Sequence, residues 1–478
     1  MQGKQEETKE LFIYKTVDDF VPQSHMLRKI EAVLKLNFVR ELTQSFYSDN
    51  NGRPSIDPEV FFRMMLIKYM YGIESERRLC DDIQYNLAYR WYCRLSLNDP
   101  VPDHSSLTRI RDRFGEAIFE MFFDHVVKVC KKHGLVKGDR IMTDSTLIEA
   151  NASLESLVAI DPELREEESK SFQESRKNNT NPKRKIANKT HRSTTDHDST
   201  LAFKRGTPRS LKYKGHFSID ADSSIILDAH ITTGAEHESH CFLDRLDTIK
   251  QKYNIGVNHA IADRAYGGGA VLMQLSNLGI RTTIPLFFGP SGTSIPEGFK
   301  FDKQQNVVIC PLGHHLNPYV NKKPNPIRRY YRMYGNTCLT CSYEAQCPGR
   351  IRDHKRKARR VEVSQFYETF KLVKEKMKLD SFKKTMIERF WKIEGVIGES
   401  KNVHKLKRAQ FRSRKKVQIQ AYFTASVQNI KRLVKSLDDF DHVLDAVMDH
   451  MMMVMNSLSS LIRYLSPFKS YLKILVRF

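Results

Sequence analysis

The sequence predicts a mixed α/β protein with an all-helical N-terminal region and a small cysteine-rich insertion. Apolar residues recur at helical spacing over roughly the first 135 residues, and the period changes to that of β-strands after Gly134. Four cysteines cluster between residues 310 and 347. At 478 residues the chain is longer than one simple core usually accommodates, so we expect several structural units.

The chain is strongly basic. Lys and Arg number 78 against 56 Asp and Glu, which gives a formal net charge of +22. A soluble protein with such an excess typically binds a polyanion, and nucleic acid is the simplest candidate. No apolar run reaches the roughly 18 residues that span a bilayer, and the N-terminus lacks the apolar core of a signal peptide. We therefore expect a cytoplasmic protein that does not contact membranes.

Residues 1–135 are predicted to form a bundle of short helices. In the stretch SIDPEVFFRMMLIKYMYG, Asp57 suits the N-cap, Pro58 the first helical position and Gly72 the end. The stretch AIFEMFFDHVVKVCKKHG has apolar residues at helical spacing and ends at Gly134. The arginines of this bundle fit a DNA-binding surface and an ordinary solvated surface equally well.

Residues 136–300 are predicted to form the first part of an α/β core. The stretch RIMTDSTLIEA is strand-like, and KGHFSIDADSSIILDAHITT alternates as a β-hairpin with a turn at residues 222–224. We expect a helix at HCFLDRLDTIKQKY, a strand at NHAIADRAYGGG, a helix at AVLMQLSNLG and a strand at IRTTIPL. Residues 154–210 between the first strand and the hairpin are basic and poor in apolar residues, which fits a mobile linker or an ordered contact with nucleic acid.

Two aspartates are candidates for a metal site. Asp144 is predicted to end the first strand of the core, and Asp263 ends another short apolar strand before a glycine-rich turn. Carboxylates at the ends of neighbouring strands would meet at one edge of the sheet, where two like charges are costly unless a cation neutralises them. Hard ions such as Mg²⁺ or Mn²⁺ prefer a few carboxylates together with water and phosphate oxygens. Each aspartate alone is also an ordinary turn or capping residue.

A third carboxylate is expected within residues 361–440, the predicted second part of the core. Glu394 and Lys401 are seven residues apart, so on a helix they lie on nearly one face, where one could bind metal and the other phosphate. Glu388 and Glu399 are alternatives, and each of the three could equally be a solvated glutamate. The basic residues of this region are candidates for contacts with phosphates: Lys401, Lys405, Lys407, Arg408, Arg412 and Arg414.

These segments together resemble DDE-type insertion-sequence transposases. The stretches TDSTLIEANAS, KGHFSIDADSSIILDAHITTG, AIADRAYGGG and IEGVIGESKNVHKLKR follow one another in the order of that family's blocks. The N-terminal SIDPEVFFRMMLIKYMYGIESERRLCDDI resembles the helical transposase domain that precedes the family's core. The resemblance implies a ribonuclease H-like mixed sheet flanked by helices, with Asp144, Asp263 and Glu394 at the metal-binding positions and Lys401 at the family's lysine.

The activity implied is that of a DNA transposase, which binds the terminal inverted repeats of its element and transfers the cut strands to target DNA. Two Mg²⁺ (or Mn²⁺) ions per site would serve this chemistry, with Asp144 as the shared ligand. We expect a homodimer when the protein assembles on DNA.

One departure from the family keeps other functions open. The family's helix tends to carry Tyr and Arg seven and four residues before the glutamate, where this chain has Ile387 and Phe390, with Arg389 one place off. A catalytically inactive DNA-binding protein derived from a transposase is therefore an alternative, as is a stand-alone metal-dependent nuclease.

Residues 301–360 are predicted to form a zinc-ribbon-like insertion. Cys338 and Cys341 make a Cys-x2-Cys knuckle, and Cys310 and Cys347 would complete a tetrahedral site for a structural Zn²⁺. His314 could replace one thiol, because the first half of the cluster has no knuckle of its own. Four reduced thiols without a metal are the alternative. The remaining residues, 441–478, are expected to be a C-terminal helical tail.

Overall fold

The computed structural model describes residues 15–48, 55–163, 165–168, 170, 186–203, 206–287, 295–320, 328–334, 336–353 and 358–439. The predicted C-terminal tail, residues 441–478, lies outside these ranges, as does part of the basic segment 154–210. The described chain is a mixed α/β structure with two six-stranded sheets and one two-stranded ladder. Within the same ranges, no helix combines the length and apolar character needed to cross a membrane.

The N-terminal part is helical, as predicted. Its helices are α1 (Met26–Val33), α2 (Phe38–Thr43), α3 (Pro58–Met70), α4 (Glu76–Tyr85), α5 (Leu87–Tyr92) and α6 (His104–Lys132). Helix α3 starts where the sequence predicts, because the Asp57 side chain accepts a hydrogen bond from Glu59 N, and Gly72 follows its end with a φ of +64°. A kink at Gly115 separates the two halves of α6, and the second half is the helix predicted in AIFEMFFDHVVKVCKKHG.

The first sheet contains the two candidate aspartates. Its strands are β1 (Arg140–Glu149), β4 (Thr200–Ala202), β5 (Ser210–Asp220), β6 (Ile226–Thr233), β7 (His259–Ala262) and β8 (Arg281–Thr283). Strand β5 pairs antiparallel with β1 on one side and with β4 and β6 on the other, and β1, β7 and β8 run parallel. The hairpin β5–β6 thus forms where the alternation predicts it.

Helices cover this sheet, and the hydrophobic core between them is continuous with that of the N-terminal helices. They are α7 (Phe242–Tyr253), α8 (Gly269–Asn277), α9 (Tyr367–Lys378), α10 (Asp380–Asn402) and α11 (residues 414–439 of the described chain). One hydrophobic cluster includes Phe62 of α3, Ile219 of β5 and Phe423 of α11, so the N-terminal helices and the first sheet share a core.

The second sheet is a separate layer made from the predicted insertion. Its strands are β9 (Lys300–Asp302), β10 (Val307–Ile309), β11 (His315–Tyr319), β12 (Arg328–Arg332), β13 (Arg350–Asp353) and β14 (Ala358–Ser364). They are antiparallel and are arranged in the order β13-β14-β12-β11-β10-β9. A second hydrophobic cluster, which includes Val308, Tyr331 and Val361, packs against one face of this sheet.

The prediction that Asp144 ends the first strand is wrong. Strand β1 continues for five residues beyond it, because β5 goes on pairing with β1 as far as Glu149 opposite Lys212. The parallel ladder with β7 does stop there: Thr143 opposite Ala262 is its last pair. Asp144 therefore lies in the middle of its own strand but level with the end of the neighbouring one.

The described residues of the basic segment are ordered. Strands β2 (Leu157–Ala159) and β3 (His191–Ser193) form an antiparallel ladder. Asp196 is buried and accepts hydrogen bonds from the Tyr213 hydroxyl at 2.6 Å and from Ser413 N at 3.0 Å. The mobile-linker interpretation does not fit these residues, because they are tied to strand β5 and to the start of α11.

Candidate active site

Asp144 and Asp263 lie side by side on neighbouring parallel strands. The last pair of the β1–β7 ladder is Thr143 opposite Ala262, and each aspartate is the next residue of its chain segment. Opposed residues of neighbouring strands project from the same face of a sheet, so both carboxylates reach the same space. Asp263 also caps a short 3-10 turn, where its side chain accepts a hydrogen bond from Ala265 N at 2.8 Å. The register of the sheet therefore brings together two acids that are distant in sequence.

These two aspartates and Glu394 line one open cleft of about 620 Å³. The three carboxylates come from β1, from the end of β7 and from α10. Four lysines line the same cleft: Lys212, Lys214, Lys401 and Lys407. Carboxylates suit metal ions and lysines suit phosphate oxygens, so the cleft has the side chains that a phosphodiester and its counter-ions require.

The acids of this cleft lie where negative charge is costly. Burial raises the pKa of Asp144 to about 6, and the charges of Asp263 and Glu394 add to this effect, whereas Arg389 opposes it. Burial also raises the pKa of Asp263, against the hydrogen bond from Ala265 N. A hard divalent cation would relieve this repulsion, and the donor set of three carboxylates is of the type that such ions prefer.

Arg389 supplies the positive charge beside Asp144 in this structure. Its Nη2 lies 2.7 Å from Asp144 Oδ2, while Asp144 Oδ1 accepts a hydrogen bond from Ser145 N at 2.7 Å. Among the described residues, no three His, Cys, Asp or Glu side chains are close enough together to hold a metal ion. Ile387 and Phe390, at the two family positions, are exposed. Arg389, which is one place away from the family's arginine position, nevertheless lines the cleft.

Of the three candidate glutamates, Glu394 is the one that lines the cleft. Glu388 forms ion pairs with Arg140 and, at 2.9 Å, with Lys392. Glu399 does not line the cleft and pairs with two basic residues of α11, Lys431 and Arg432. The surroundings of the three side chains thus separate them where the sequence could not.

The predicted phosphate-binding residues differ in their surroundings and fall into three groups. Lys401 and Lys407 line the cleft. Arg414 is partly buried and forms an ion pair with Glu116 at 3.6 Å. The other three are exposed and do not line it: Lys405, Arg408 and Arg412.

Sequence reasoning missed Lys212, Lys214 and Glu238 as cleft residues. The two lysines alternate with Tyr213 on β5, so strand periodicity could have predicted that they share a face. Lys214 Nζ lies 3.3 Å from Glu238 Oε1 and donates a hydrogen bond to the Glu236 carbonyl at 2.6 Å. Glu238 follows the end of β6 in a loop, where no local pattern marks it.

The four clustered cysteines line one small cavity of about 20 Å³ together with His314. All four are free thiols. Burial raises the pKa of Cys338, and the neighbouring Cys347 and Cys341 add to this effect. The donor set suits zinc, but the side chains are not gathered to ligating distances, so the zinc site stays a prediction.

Two protein-family models match the chain. Residues 15–113 match the model described as Transposase domain (DUF772), and residues 309–434 match the model described as Transposase DDE domain. The second match contains Glu394 and Lys401, whereas Asp144 and Asp263 lie between the two. These matches confirm the resemblance to DDE-type transposases. No curated protein sequence matches the chain significantly.

Three solved structures show weak overall similarity to the chain. One is a piggyBac transposase synaptic complex with hairpin DNA, at 10% identity and a TM-score of 0.25, covering 86% of this chain and 81% of that one. The second is a Mos1 transposase paired-end complex with the left transposon end, at 11% identity and a TM-score of 0.16, covering 56% and 69%. The third is a Mos1 mariner paired-end complex with Mn, at 14% identity and a TM-score of 0.16, covering 56% and 70%.

Proposed function

From the confirmed resemblance to DDE-type transposases, we propose that this chain binds the ends of its insertion sequence and catalyses metal-dependent strand cleavage and strand transfer. One observation carries the proposal. Asp144, Asp263 and Glu394, which come from three separate elements, line a single cleft together with four lysines. The mixed sheet with helices packed on it supports the ribonuclease H-like core that the resemblance implies.

The three carboxylates are the residues that would hold Mg²⁺ or Mn²⁺. Two such ions, when bound, activate the attacking oxygen and stabilise the leaving oxygen of the phosphodiester. Asp144 would be the central ligand of this set, because the charges of both Asp263 and Glu394 act on it. Arg389 favours the ionised form of Asp144 against the effect of burial, so it keeps this carboxylate available near neutral pH.

The lysines around the acids would hold the DNA backbone. Lys401 follows Glu394 by two helical turns on the same helix, and Lys214 reaches the cleft from β5. Lysine ammonium groups bind phosphate oxygens as point charges and carry no sequence information. Recognition of the terminal inverted repeats would therefore depend on other surfaces, of which the N-terminal helices are one candidate. A homodimer on DNA and a structural zinc in the cysteine cavity belong to the same proposal.

Strand joining with purified protein tests this function. The substrate is a DNA duplex that carries the terminal inverted repeats found beside the reading frame, and the assay contains Mg²⁺ and a target plasmid. We expect joined products that disappear in Asp144→Asn and Asp263→Asn, because the amide keeps the shape of the side chain but loses the charge that holds the ion. DNA affinity should stay unchanged in both variants.

Matched variants of α10 locate the third carboxylate. Glu394→Gln should abolish joining, whereas Glu388→Gln on the same helix should retain it, because Glu388 does not line the cleft. Binding without cleavage by the wild-type protein would instead favour the inactive DNA-binding protein. Cleavage of any DNA, with no preference for the repeats, would favour the nuclease.

A further inference from the structure

The second sheet has one face packed against its core and one face turned away from it. Tyr331 of β12 and Val361 of β14 are buried in the second hydrophobic cluster. Successive side chains of a strand point to opposite faces. Arg332 and Arg360, their neighbours in sequence, therefore project from the outward face.

Arginines occupy directly opposite positions on three adjacent strands of this sheet. The register pairs Arg332 of β12 with Arg360 of β14, and Arg360 with Arg350 of β13. Asn317 of β11 lies opposite Arg332 on the other side. Like charges directly opposite one another destabilise a sheet, so the juxtaposition of Arg332 and Arg360 is by itself unfavourable. A bound anion would remove the repulsion.

Tyrosines hold these guanidinium groups in position. The Arg332 guanidinium lies 4.2 Å from the ring centre of Tyr334 and 5.4 Å from that of Tyr319. Arg360 lies 5.6 Å from the ring centre of Tyr330. Within the described ranges, Arg332 pairs with no carboxylate, and its Nε is buried without a hydrogen-bond partner. A guanidinium fixed by aromatic rings keeps its fork of N–H donors for an oxyanion and loses little entropy on binding one.

One carboxylate offsets part of the charge of this face. Glu362 pairs with Arg328 at 2.5 Å and with Arg360 at 2.6 Å, so it links strands β12 and β14. Three guanidinium groups, those of Arg328, Arg332 and Arg360, face this single acid. The outward face is therefore positive and rich in arginine, and a basic patch of this kind is the electrostatic footprint of a nucleic-acid-binding surface.

We propose that this arginine–tyrosine face binds the phosphate backbone of double-stranded DNA. The face is defined by Tyr319, Arg328, Tyr330, Arg332, Tyr334 and Arg360. None of these residues lines the catalytic cleft, so the face is a second DNA contact that adds affinity and orientation without taking part in the chemistry. The inference rests on the proposed function, because that function supplies DNA as the partner.

Salt-dependent binding of a labelled DNA duplex to the full-length protein tests this proposal. Each phosphate contact contributes about 0.9 to the slope of log K against log salt concentration. Arg332→Gln and Arg360→Gln should each lower the slope by about 0.9, and the double variant by about twice that. Arg329→Gln is the matched control. Arg329 is the exposed neighbour of Arg328 on the same strand and pairs with the buried Val363, so it belongs to the other face.

A second variant separates lost charge from lost structure. Arg332→Lys keeps the charge and should retain the wild-type slope, while the melting temperatures of all variants should stay close to that of the wild type. A slope in the double variant equal to that of the wild type and of Arg329→Gln would overturn the proposal. A loss in Arg332→Lys as large as that in Arg332→Gln would also overturn it, because the effect would then not be electrostatic.

The outcome for this face is distinguishable from the outcome for the proposed function. Strand joining is measured on the same samples, and the control variant Arg329→Gln should retain the wild-type joining activity. If the wild-type protein binds DNA but joins no strands, the proposed function fails, and the comparison of slopes still decides whether this face contacts the backbone.

Discussion

Glutamates of the same helix serve different purposes because their surroundings differ. Glu394 of α10 faces the cleft, whereas Glu399, five residues later, faces a cluster of cations. Burial alone would raise the pKa of Glu399, but hydrogen bonds from His404 and Lys431 and the charge of Arg432 bring it down to about 2. Glu399 is therefore a structural ion-pair partner, and its charge stabilises the packing of α10 against α11.

Glu399→Gln should destabilise the protein at neutral pH but not in acid. The pKa of Glu399 is lower in the folded protein than its ordinary value of 4.5, so its contribution is complete above that value and is lost as the pH falls towards about 2. A shift of this size corresponds to about 3 kcal/mol, less some screening by solvent. Urea unfolding from pH 7 downwards should show a gap between variant and wild type that narrows below about pH 4.5.

The control for this prediction is Glu375→Gln. Glu375 lies on the exposed surface of α9 and pairs with Lys378, so its substitution should change the unfolding free energy little. Equal stability of Glu399→Gln and wild type at pH 7 would mean that the cations around Glu399 contribute nothing net to folding.

At the scale of elements, residues 403–413 hold the Glu394 helix in place. Glu149, the last residue of β1, donates a backbone hydrogen bond to Lys407 O at 3.0 Å and accepts one from Ala409 N at 2.8 Å. The same segment packs against the end of α3, where a Cβ added to Gly72 would lie 2.3 Å from Val403 O. The position of Glu394 therefore depends on contacts with both the first sheet and the N-terminal helices.

Gly72→Ala should cost more stability than Gly134→Ala. Both glycines follow the end of a helix with a positive φ, +64° and +77°, so alanine is strained by about 1 kcal/mol at either position. Nothing lies within 4 Å of a Cβ added at Gly134, whereas at Gly72 it would collide with Val403 O. Overpacking adds a further cost of about 1–3 kcal/mol there. Urea midpoints compare the two, and equal losses would mean that the segment shifts away from Gly72 freely.

Cys341→Ser tests the predicted zinc site. If the cysteine cavity binds Zn²⁺, the wild-type protein should contain about one zinc per chain, with no open coordination position. The variant should lose the metal and melt at a lower temperature, because binding energy at such sites is folding energy. Cys241→Ser, outside the cluster, is the control. Elemental analysis that finds no zinc in protein prepared without chelators, with an unchanged melting temperature for Cys341→Ser, would favour four free thiols.

Sequence signals in neighbouring residues predicted several helices and strands correctly. The geometry of the candidate site depends on contacts between segments that are distant in sequence. Neighbouring residues determine the two ends of α3, at Asp57 and Gly72, and the turn of the β5–β6 hairpin. The sequence therefore predicted these features. The end of β1 was mispredicted because its length is set by β5, which pairs with it beyond Asp144. The contact of Arg389 with Asp144 joins residues that are far apart in sequence, and no periodicity marks it.

At the scale of the whole molecule, the N-terminal helices and the candidate active site form one packed body. Phe423 of α11 stacks on Tyr69 of α3 with ring centres 5.2 Å apart and contacts the Phe62 and Phe119 rings. The predicted units 1–135 and 361–440 therefore share a core. If the N-terminal helices bind DNA, as proposed above, this shared core would hold that DNA at a fixed distance from the cleft.

The net charge of +22 should appear as a steep salt dependence of DNA binding. If all six candidate residues of the 401–414 region contact phosphates, they alone contribute a slope of about −5.4 to log K against log salt concentration. The structure favours the two that line the cleft, so Lys401→Gln and Lys407→Gln should each lower the slope by about 0.9. Lys378→Gln is the control, because Lys378 is exposed on α9 and paired with Glu375. Fluorescence anisotropy over a salt series measures these slopes. A flat dependence in the wild type would mean that the charge is only a solvated surface, and unchanged slopes in both cleft variants would place the DNA outside the cleft.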